Sequence, residues 1–353
     1  MKKKHKIKVG ISVGDLSGIG IEIVLKSFED NRMLDFCTPV IFASSKMISH
    51  HKKILNIDTN IHGIDSLNKI VPQKVNLLNV WKEIVDVEIG RPSKNSGEYA
   101  LLSLEKAVQA LKNEQIDVLV TAPIDKHNIQ SDTFQFKGHT EFLEEHLEGE
   151  SLMILMSDEL RVGLITGHIP IKEVAAAISP ELIAKKAQIM YDSLVQDLGI
   201  PKPKIAVLGL NPHCGDQGVI GTEDDDIVRP AIEEIQKKGQ LVYGPYAADS
   251  FFGNENYKSF DGVLAMYHDQ GLAPFKTLAF GKGVNFTAGL NRIRTSPDHG
   301  TAFEIAGKGK AEFSSFKEAV FTAIRLFKNR EEHIFLNENK LQPQKEKKTQ
   351  YSK

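Results

Sequence analysis

Histidine residues follow three of the apolar runs that predict buried strands. They are His168 in "VGLITGHIP", His213 in "IAVLGLNPHCG" and His268 in "VLAMYHDQG". Loops at the carboxyl ends of parallel strands converge on one crevice, where α/β proteins bind ligands. Neutral imidazoles suit a divalent transition metal such as zinc, with an open position for substrate. One such histidine alone is more simply a polar loop residue, but the recurrence at three strand ends favours a metal site.

Two further groups of residues suit an anion. In "GHTEFL", His139 and Thr140 stand at a predicted helix start, where an N-cap and an acidic first turn explain them as well as an anion site does. Lys276, Asn285 and Arg294 form a cationic group, and an arginine fork suits a carboxylate or a phosphate. Solvated surface loops are the alternative for the lysine and the arginine. A metal beside anion-binding groups would fit a small phosphorylated hydroxy acid.

The elements that position these residues alternate along the chain. Short apolar runs such as "KIKVGISV", "IDVLVTAP" and "KIAVLGLNP" predict strands, and amphipathic stretches such as "SPELIAKKAQIMYDSLVQDLG" predict helices between them. The strand that begins at Val263 is expected to stop at Tyr267, to turn at Gly271 and to carry Lys276 just beyond. This alternation predicts the α/β class, with a largely parallel sheet and helices on both faces.

Length and composition set the broad class. A chain of 353 residues suggests two domains, or one large α/β unit with insertions. The net charge of -2 gives no support to a nucleic-acid or anionic-membrane partner. No apolar run approaches the roughly 18 residues that span a bilayer, and the basic opening lacks the apolar segment of a signal peptide. Two distant cysteines indicate neither a disulfide framework nor a thiolate zinc site, so we expect a cytoplasmic enzyme.

Two glycine-containing stretches differ in what they indicate. "GDLSGIG" lacks the spacing of the GxGxxG dinucleotide fingerprint and is explained as well by a tight strand-to-helix turn. The later stretch "DHGTAFEIAGKG" is similar to the adenosine-binding loop of the isocitrate and isopropylmalate dehydrogenases, which bind NAD(P) without that fingerprint. The long motifs "TAPIDK", "GHTEFL", "GLNPHCGDQGVIGTED", "MYHDQGLAPFK" and "GVNFTAGLNRIRTSPDHGTAFEIAG" resemble the 4-hydroxythreonine-4-phosphate dehydrogenase family of vitamin B6 biosynthesis, over about Lys8 to Arg330.

The resemblance implies a fold and an assembly. The fold is that of isocitrate/isopropylmalate dehydrogenase, in which two α/β/α domains flank a cleft. On this chain the first domain is expected at residues 1–135 with 286–335, the second at 136–285, and a polar, disordered tail at 337–353. The family is a homodimer with its active site at the subunit interface, so the metal ligands need not all come from one chain.

The resemblance also implies roles for individual residues. A divalent metal, zinc, cobalt or magnesium, is bound by His168, His213 and His268. The residues that match the family's substrate contacts are His139, Thr140, Lys276, Asn285 and Arg294. Those expected at the adenosine side of NAD or NADP are His299, Gly300 and Gly307. Lys276 is the first candidate for proton transfer, and Asp249 and Asp269 are lesser candidates that would also serve to orient a histidine.

The implied reaction is the NAD-dependent oxidation and decarboxylation of 4-phosphohydroxy-L-threonine to 3-amino-2-oxopropyl phosphate. Three rival functions stay open: a dehydrogenase of 4-phosphorylated threonate or erythronate, a phosphate acyltransferase, and a metal-dependent phosphate ester hydrolase. The chain departs from the family in "GDLSGIG", where many members carry Glu-Pro-Ala before Gly-Ile-Gly, and in Cys214, where alanine is common. The first departure leaves the role of Asp15 open.

Overall fold

A computed structural model describes residues 6–130, 136, 138–279 and 281–338 of the chain. Its strands belong to one mixed sheet. In chain order the strands of this described part are β1 (Lys8–Ser12), β2 (Thr38–Ala43), β3 (Ile61–Ile64), β4 (Val75–Asn79), β5 (Val118–Thr121), β6 (Gly149–Met156), β7 (Arg161–Leu164), β8 (Lys204–Leu208), β9 (Leu241–Tyr246), β10 (Gly262–Ala265), β11 (Val284–Leu290) and β12 (Ile293–Pro297).

The sheet consists of two parallel blocks joined by antiparallel strands. Its strand order is β3-β4-β2-β1-β5-β12-β11-β6-β7-β10-β8-β9. The first six strands of this order are parallel to one another, and so are the last four, which are β7, β10, β8 and β9. The three pairings in the middle, β12 with β11, β11 with β6, and β6 with β7, are antiparallel. The α/β class is therefore confirmed, with an antiparallel centre that the sequence did not predict.

Helices cover both faces of the sheet. Within the described residues they are α1 (Gly20–Ser27), α2 (Met33–Phe36), α3 (Ser45–Leu55), α4 (Lys94–Lys112), α5 (His139–His146), α6 (Ile171–Ala177), α7 (Pro180–Gln196), α8 (Arg229–Lys237), α9 (Ala248–Gly253), α10 (His268–Leu278) and α11 (Ser314–Glu338). One face packs in a single apolar core with α1, α3, α7, α8 and α11. On the opposite face one core lies under α4 and α5 and another under α9 and α10.

Local signals set several helix ends. Ser179 accepts a hydrogen bond from the backbone N–H of Leu182, and Pro180 occupies the first turn of α7, as the Ser-Pro pair predicts. Ser93 and Ser96 form a reciprocal capping box at the start of α4. These caps satisfy backbone donors that a helix start leaves without partners.

The turn predicted at Gly271 is wrong, because this residue lies inside α10. A Cβ at Gly271 would approach Val162 Cγ1 to 2.6 Å and Ala265 Cβ to 2.8 Å, so the glycine lets the helix lie directly on the sheet. Pro274 also lies inside the helix. Glycine and proline are poor helix formers, and here close packing on the sheet overrides that local preference.

The predicted domain boundary at residues 285 and 286 falls inside β11, which pairs with strands on both sides. The division into two domains stays a prediction. Helix α11 continues through Asn337 and Glu338, the first two residues of the predicted polar tail, and the rest of that tail lies outside the described residues. In the part of the chain that the structure describes, no helix combines the length and the apolar character needed to cross a membrane.

Candidate active site

A cavity of about 220 Å³ lies over the central strands, on the face that carries α5 and α10. Its floor is formed by side chains from β6, β11 and β12, and residues that follow β5, β7, β10 and β12 form its walls. The lining includes these predicted site residues: His139, Thr140, His168, His268, Lys276, Asn285, Arg294, His299 and Gly300. The structure thus brings most of the predicted metal, substrate and cofactor residues to one place.

Arg294 is the cation at the floor of this cavity. It is 1% exposed and donates hydrogen bonds to the hydroxyls of Thr121 on β5 and Thr287 on β11. Among the residues that the structure describes, both hydrogen-bond partners of Arg294 are neutral hydroxyls. Burial lowers the pKa of Arg294 to about 9, while the charge of Glu141 opposes that shift. The guanidinium donors of Arg294 therefore suit an anion that enters the cavity.

Several other polar atoms of the cavity wall are buried without a hydrogen-bond partner among the described residues. They are His139 Nε2, Glu141 Oε2, Asn285 Oδ1 and His299 Nε2. Burial lowers the pKa of His139 well below its ordinary value, and the charges of Arg294 and Lys126 lower it further, so its ring is neutral. Buried polar groups are normally satisfied, and their concentration here indicates that a polar ligand completes the site.

His168 and His268 lie side by side at one end of the cavity. They follow the adjacent parallel strands β7 and β10, and their ring centroids are 5.5 Å apart. Nδ1 of His268 is 2.6 Å from Asp269 Oδ1, and Nδ1 of His168 is 3.5 Å from Glu141 Oε1. Each carboxylate lies beside one Nδ1, so Nε2 is the nitrogen of each ring that suits a metal. The pair therefore fits two positions of a divalent metal site.

His213 does not join that pair. Its strand, β8, is the parallel neighbour of β10, but His213 is the fifth residue after that strand and lies in an exposed loop. Among the residues that the structure describes, no three histidine, cysteine or acidic residues are close enough to bind one metal. Asp249, at the start of α9, is not among the residues that line the cavity.

The loop with His213 has an unusual backbone. Every φ angle from 213 to 218 is positive, including those of His213 and Cys214 at 53°. Asp224 stabilises the entry to this loop, because its fully buried carboxylate accepts hydrogen bonds from the backbone N–H groups of Leu210 and Asn211 at 2.7 and 2.8 Å. A run of left-handed residues is costly and persists only where such contacts hold it in place.

The glycine-containing loops meet beside the cavity. The backbone N–H of Ile19, in "GDLSGIG", donates to Thr301 O, in the predicted adenosine loop, at 3.0 Å. His299 and Gly300 line the cavity, whereas Gly307 lies away from it, against Ile89. Asp15 is buried and accepts a hydrogen bond from the backbone N–H of Ser17 at 2.9 Å. Desolvation raises the pKa of Asp15, and its carboxylate also accepts a hydrogen bond from Asn128 Nδ2 at 3.4 Å.

Two lining residues were missed by residue-level reasoning from the sequence. Glu141 was interpreted only as part of an acidic first turn, yet it faces His168. Lys126 follows β5 in "TAPIDK", and its Nζ lies 3.3 Å from His168 Nε2. The position of Lys126 after an apolar strand is the same signal that singled out the histidines.

Comparison with known proteins gives a consistent result. Residues 35–323 match the family described as pyridoxal phosphate biosynthetic protein PdxA. The chain is 48% identical to a 4-hydroxythreonine-4-phosphate dehydrogenase of Bacteroides thetaiotaomicron, covering 97% of this chain and 94% of the relative. It is 43% identical to a protein of the same name from a Sulfurihydrogenibium strain, with 91% and 98% covered.

A solved structure extends the comparison to the fold. The crystal structure of 4-hydroxythreonine-4-phosphate dehydrogenase from Klebsiella pneumoniae matches with a TM-score of 0.79 and 30% identity, covering 93% of this chain and 99% of the other. The resemblance of the sequence motifs is thereby confirmed. The chain belongs to the PdxA family of pyridoxal phosphate biosynthetic proteins.

Proposed function

We propose that this protein oxidises 4-phosphohydroxy-L-threonine with NAD and releases carbon dioxide and 3-amino-2-oxopropyl phosphate, a step of pyridoxal phosphate biosynthesis. Its relatives are named for this dehydrogenase activity. The observation that carries the proposal is the cavity itself, in which the buried Arg294 faces a pair of histidines across a small polar space. An anionic substrate with a hydroxyl beside the histidines fits both ends of that cavity.

The anionic end of the substrate would bind at Arg294. The guanidinium uses its contacts with Thr121 and Thr287 to hold its orientation, and a phosphate or carboxylate supplies the counter-charge that those hydroxyls lack. The neutral ring of His139 and the amide of Asn285 offer further hydrogen bonds from the wall. Thr140, at the start of α5, lies next to His139 on the same rim.

His168 and His268 would hold the metal, with His213 of a second subunit as the third ligand. The exposed loop of His213 and the absence of a third donor near the pair, among the described residues, support a site shared by a homodimer. A metal held there would supply a Lewis acid for the hydroxyl and for the charge left on decarboxylation, and NAD would supply the hydride acceptor. Asp269 keeps the ring of His268 oriented for this role.

Lys276 is the proposed proton-transfer residue. It lies two turns along α10 from His268, and both residues line the cavity. His299 and Gly300 are proposed to contact NAD or NADP, since they line the cavity at the loop that resembles the adenosine site of related dehydrogenases. Gly307, farther along the same loop, would shape it through its φ of 72°. A cytoplasmic location stays a prediction.

The test is an NADH-absorbance assay on chelator-stripped enzyme, with zinc, cobalt or magnesium added back. The substrates are 4-phosphohydroxy-L-threonine and 4-phosphoerythronate. Metal-dependent NADH formation mainly from the amino acid would support the proposal. A preference for phosphoerythronate would support the rival dehydrogenase activity instead. No NADH from either substrate would favour a hydrolase or an acyltransferase.

A further inference from the structure

Lys126 occupies the position beside His168 where a metal would bind. The lysine follows β5, and the turn that carries it is fixed by Asp125, whose carboxylate accepts hydrogen bonds from the backbone N–H groups of His127 and Asn128 at 3.0 and 2.8 Å. From this turn the side chain reaches the cavity, and its Nζ lies 3.3 Å from His168 Nε2.

The surroundings of His168 determine which ring nitrogen carries the proton. Nδ1 faces the carboxylate of Glu141 at 3.5 Å, and His168 is the main cause of the lowered pKa of Glu141. A ring N–H at Nδ1 is the arrangement that suits a carboxylate, so Nε2 carries the lone pair. That lone pair accepts the hydrogen bond from the Lys126 ammonium. A metal needs the same lone pair, so the ammonium and the metal exclude each other at this nitrogen.

Lys126 has a second direction available. Lys126 lines the same cavity as His139 and Arg294, and its Cε would lie 3.7 Å from a Cβ at Gly138, the residue before His139. The ammonium is therefore close to the anion-binding end of the cavity. Lysine is a compact charge on a flexible four-carbon stem, and it serves as a point-charge ligand for phosphate. Displacement from His168 would leave the ammonium beside the space where the substrate's anionic groups bind.

We propose that Lys126 is a substrate-binding residue that exchanges partners. Without metal it donates to His168 Nε2, and with metal in place it binds an anionic group of the substrate. The substrate half of this proposal rests on the proposed function, but the metal half does not. The exchange makes metal binding and substrate binding cooperative, because the metal releases the cation that the substrate requires.

The experiment compares Lys126→Met, Lys126→Arg and, as a matched control, Lys106→Met on the exposed surface of α4. Zinc affinity is measured on chelator-stripped protein by competition with a colorimetric chelator, without substrate. Thermal melts confirm that each variant is folded. KM and kcat for 4-phosphohydroxy-L-threonine are then measured at saturating metal.

The expected results differ between the two measurements. Lys126→Met should bind zinc several-fold more tightly than the native protein, because its competitor is gone. It should also raise KM about tenfold or more, as expected for the loss of a hydrogen bond to a charged group. Lys126→Arg should stay within about threefold of the native KM, because the charge is retained, and Lys106→Met should change neither quantity.

Unchanged or weaker zinc binding by a folded Lys126→Met protein would overturn the exchange, as would an unchanged KM. If the native enzyme forms no NADH from this substrate, the proposed function fails, while the zinc measurement still tests the contact between Lys126 and His168.

Discussion

Arg294 donates two hydrogen bonds to the single hydroxyl of Thr121, from Nε at 3.0 Å and from Nη2 at 2.5 Å. Thr121 is the last residue of β5, and Arg294 lies on the neighbouring parallel strand β12. This contact aims the guanidinium into the cavity without neutralising it. The guanidinium is therefore a desolvated positive charge that suits an anion. Such a charge favours binding and lowers the stability of the folded state.

Replacing that charge should separate binding from stability. Arg294→Met removes the anion partner, and we expect kcat/KM to fall about 30-fold or more, as for other buried charge partners. The free energy of unfolding should change by less than about 2 kcal/mol, because an uncompensated buried charge contributes little to folding. Steady-state kinetics and urea unfolding measure the two quantities. A large loss of stability with unchanged kcat/KM would show that Arg294 is a structural residue.

A metal site shared between subunits predicts complementation in mixed dimers. His168→Ala and His213→Ala should each abolish metal-dependent turnover, since each removes one ligand from every site. In a mixed dimer one of the two sites has lost both residues and the other has lost neither. Random mixing gives half mixed dimers, so we expect about a quarter of native activity after the two inactive proteins are unfolded and refolded together.

The control for this experiment is a mixture in which both mutations affect the same half of the site. His168→Ala mixed with His268→Ala should stay inactive, because in every mixed dimer each pair of histidines lacks one member. No activity in the first mixture would show that His213 and His168 of one site come from the same subunit. Activity in the control mixture would show that His168 and His268 come from different subunits.

Asp224 should position His213 through the backbone. Asp224→Ala leaves the N–H groups of Leu210 and Asn211 without their acceptor, and we expect a loss of about 1–3 kcal/mol in the free energy of unfolding. Zinc affinity should fall as well, because the backbone at the start of the left-handed loop is then no longer held in place. Asp225→Ala is the matched control, since Asp225 is a half-buried residue whose side chain pairs with Arg229. Equal zinc affinity in both variants would show that Asp224 does not position His213 for metal binding.

The residues that lie at the ends of apolar runs were accessible from the sequence. His168 and His268 follow strands that the apolar pattern predicts, and parallel neighbours bring their loops together. Cations and amides that lie within strands were harder to place, because only the pairing of β11 with β12 sets Asn285 opposite Ser296 and Arg294 opposite Thr287. Strands β11 and β12 form a hairpin joined by Asn291 and Arg292, whereas the pairing of β11 with β6 joins residues that are far apart in the sequence and that no local pattern brings together.

Other features depended on packing that local signals oppose. The glycine and the proline of α10 argue for a turn, and the contacts of Gly271 with Val162 and Ala265 show why a helix forms instead. The left-handed run that begins at His213 keeps this residue away from His168 and His268 of the same chain, and only the family resemblance had indicated that the three ligands need not come from one chain. The motif "TAPIDK" had marked Lys126 as part of a resemblance, but its role required the distance to His168.

His51 should make the stability of the protein depend on pH. The residue lies in α3, is 2% exposed and contacts the backbone of Leu16, and burial, aided by the charge of His50, lowers its pKa to about 4. In the unfolded chain it binds a proton near pH 6.5, so the unfolded state binds more protons than the folded state between pH 6.5 and 4. The stability that depends on this residue is therefore complete above pH 6.5 and is lost as the pH falls. From pH 7.5 to pH 5 we expect His51 to account for a decrease of about 2 kcal/mol in the free energy of unfolding.

Urea unfolding of His51→Phe should show a pH dependence that is smaller by this amount, whereas His50→Phe, at an exposed position of the same helix, should retain nearly all of it. The same pH dependence in His51→Phe and the native protein would show that the buried ring does not titrate on unfolding.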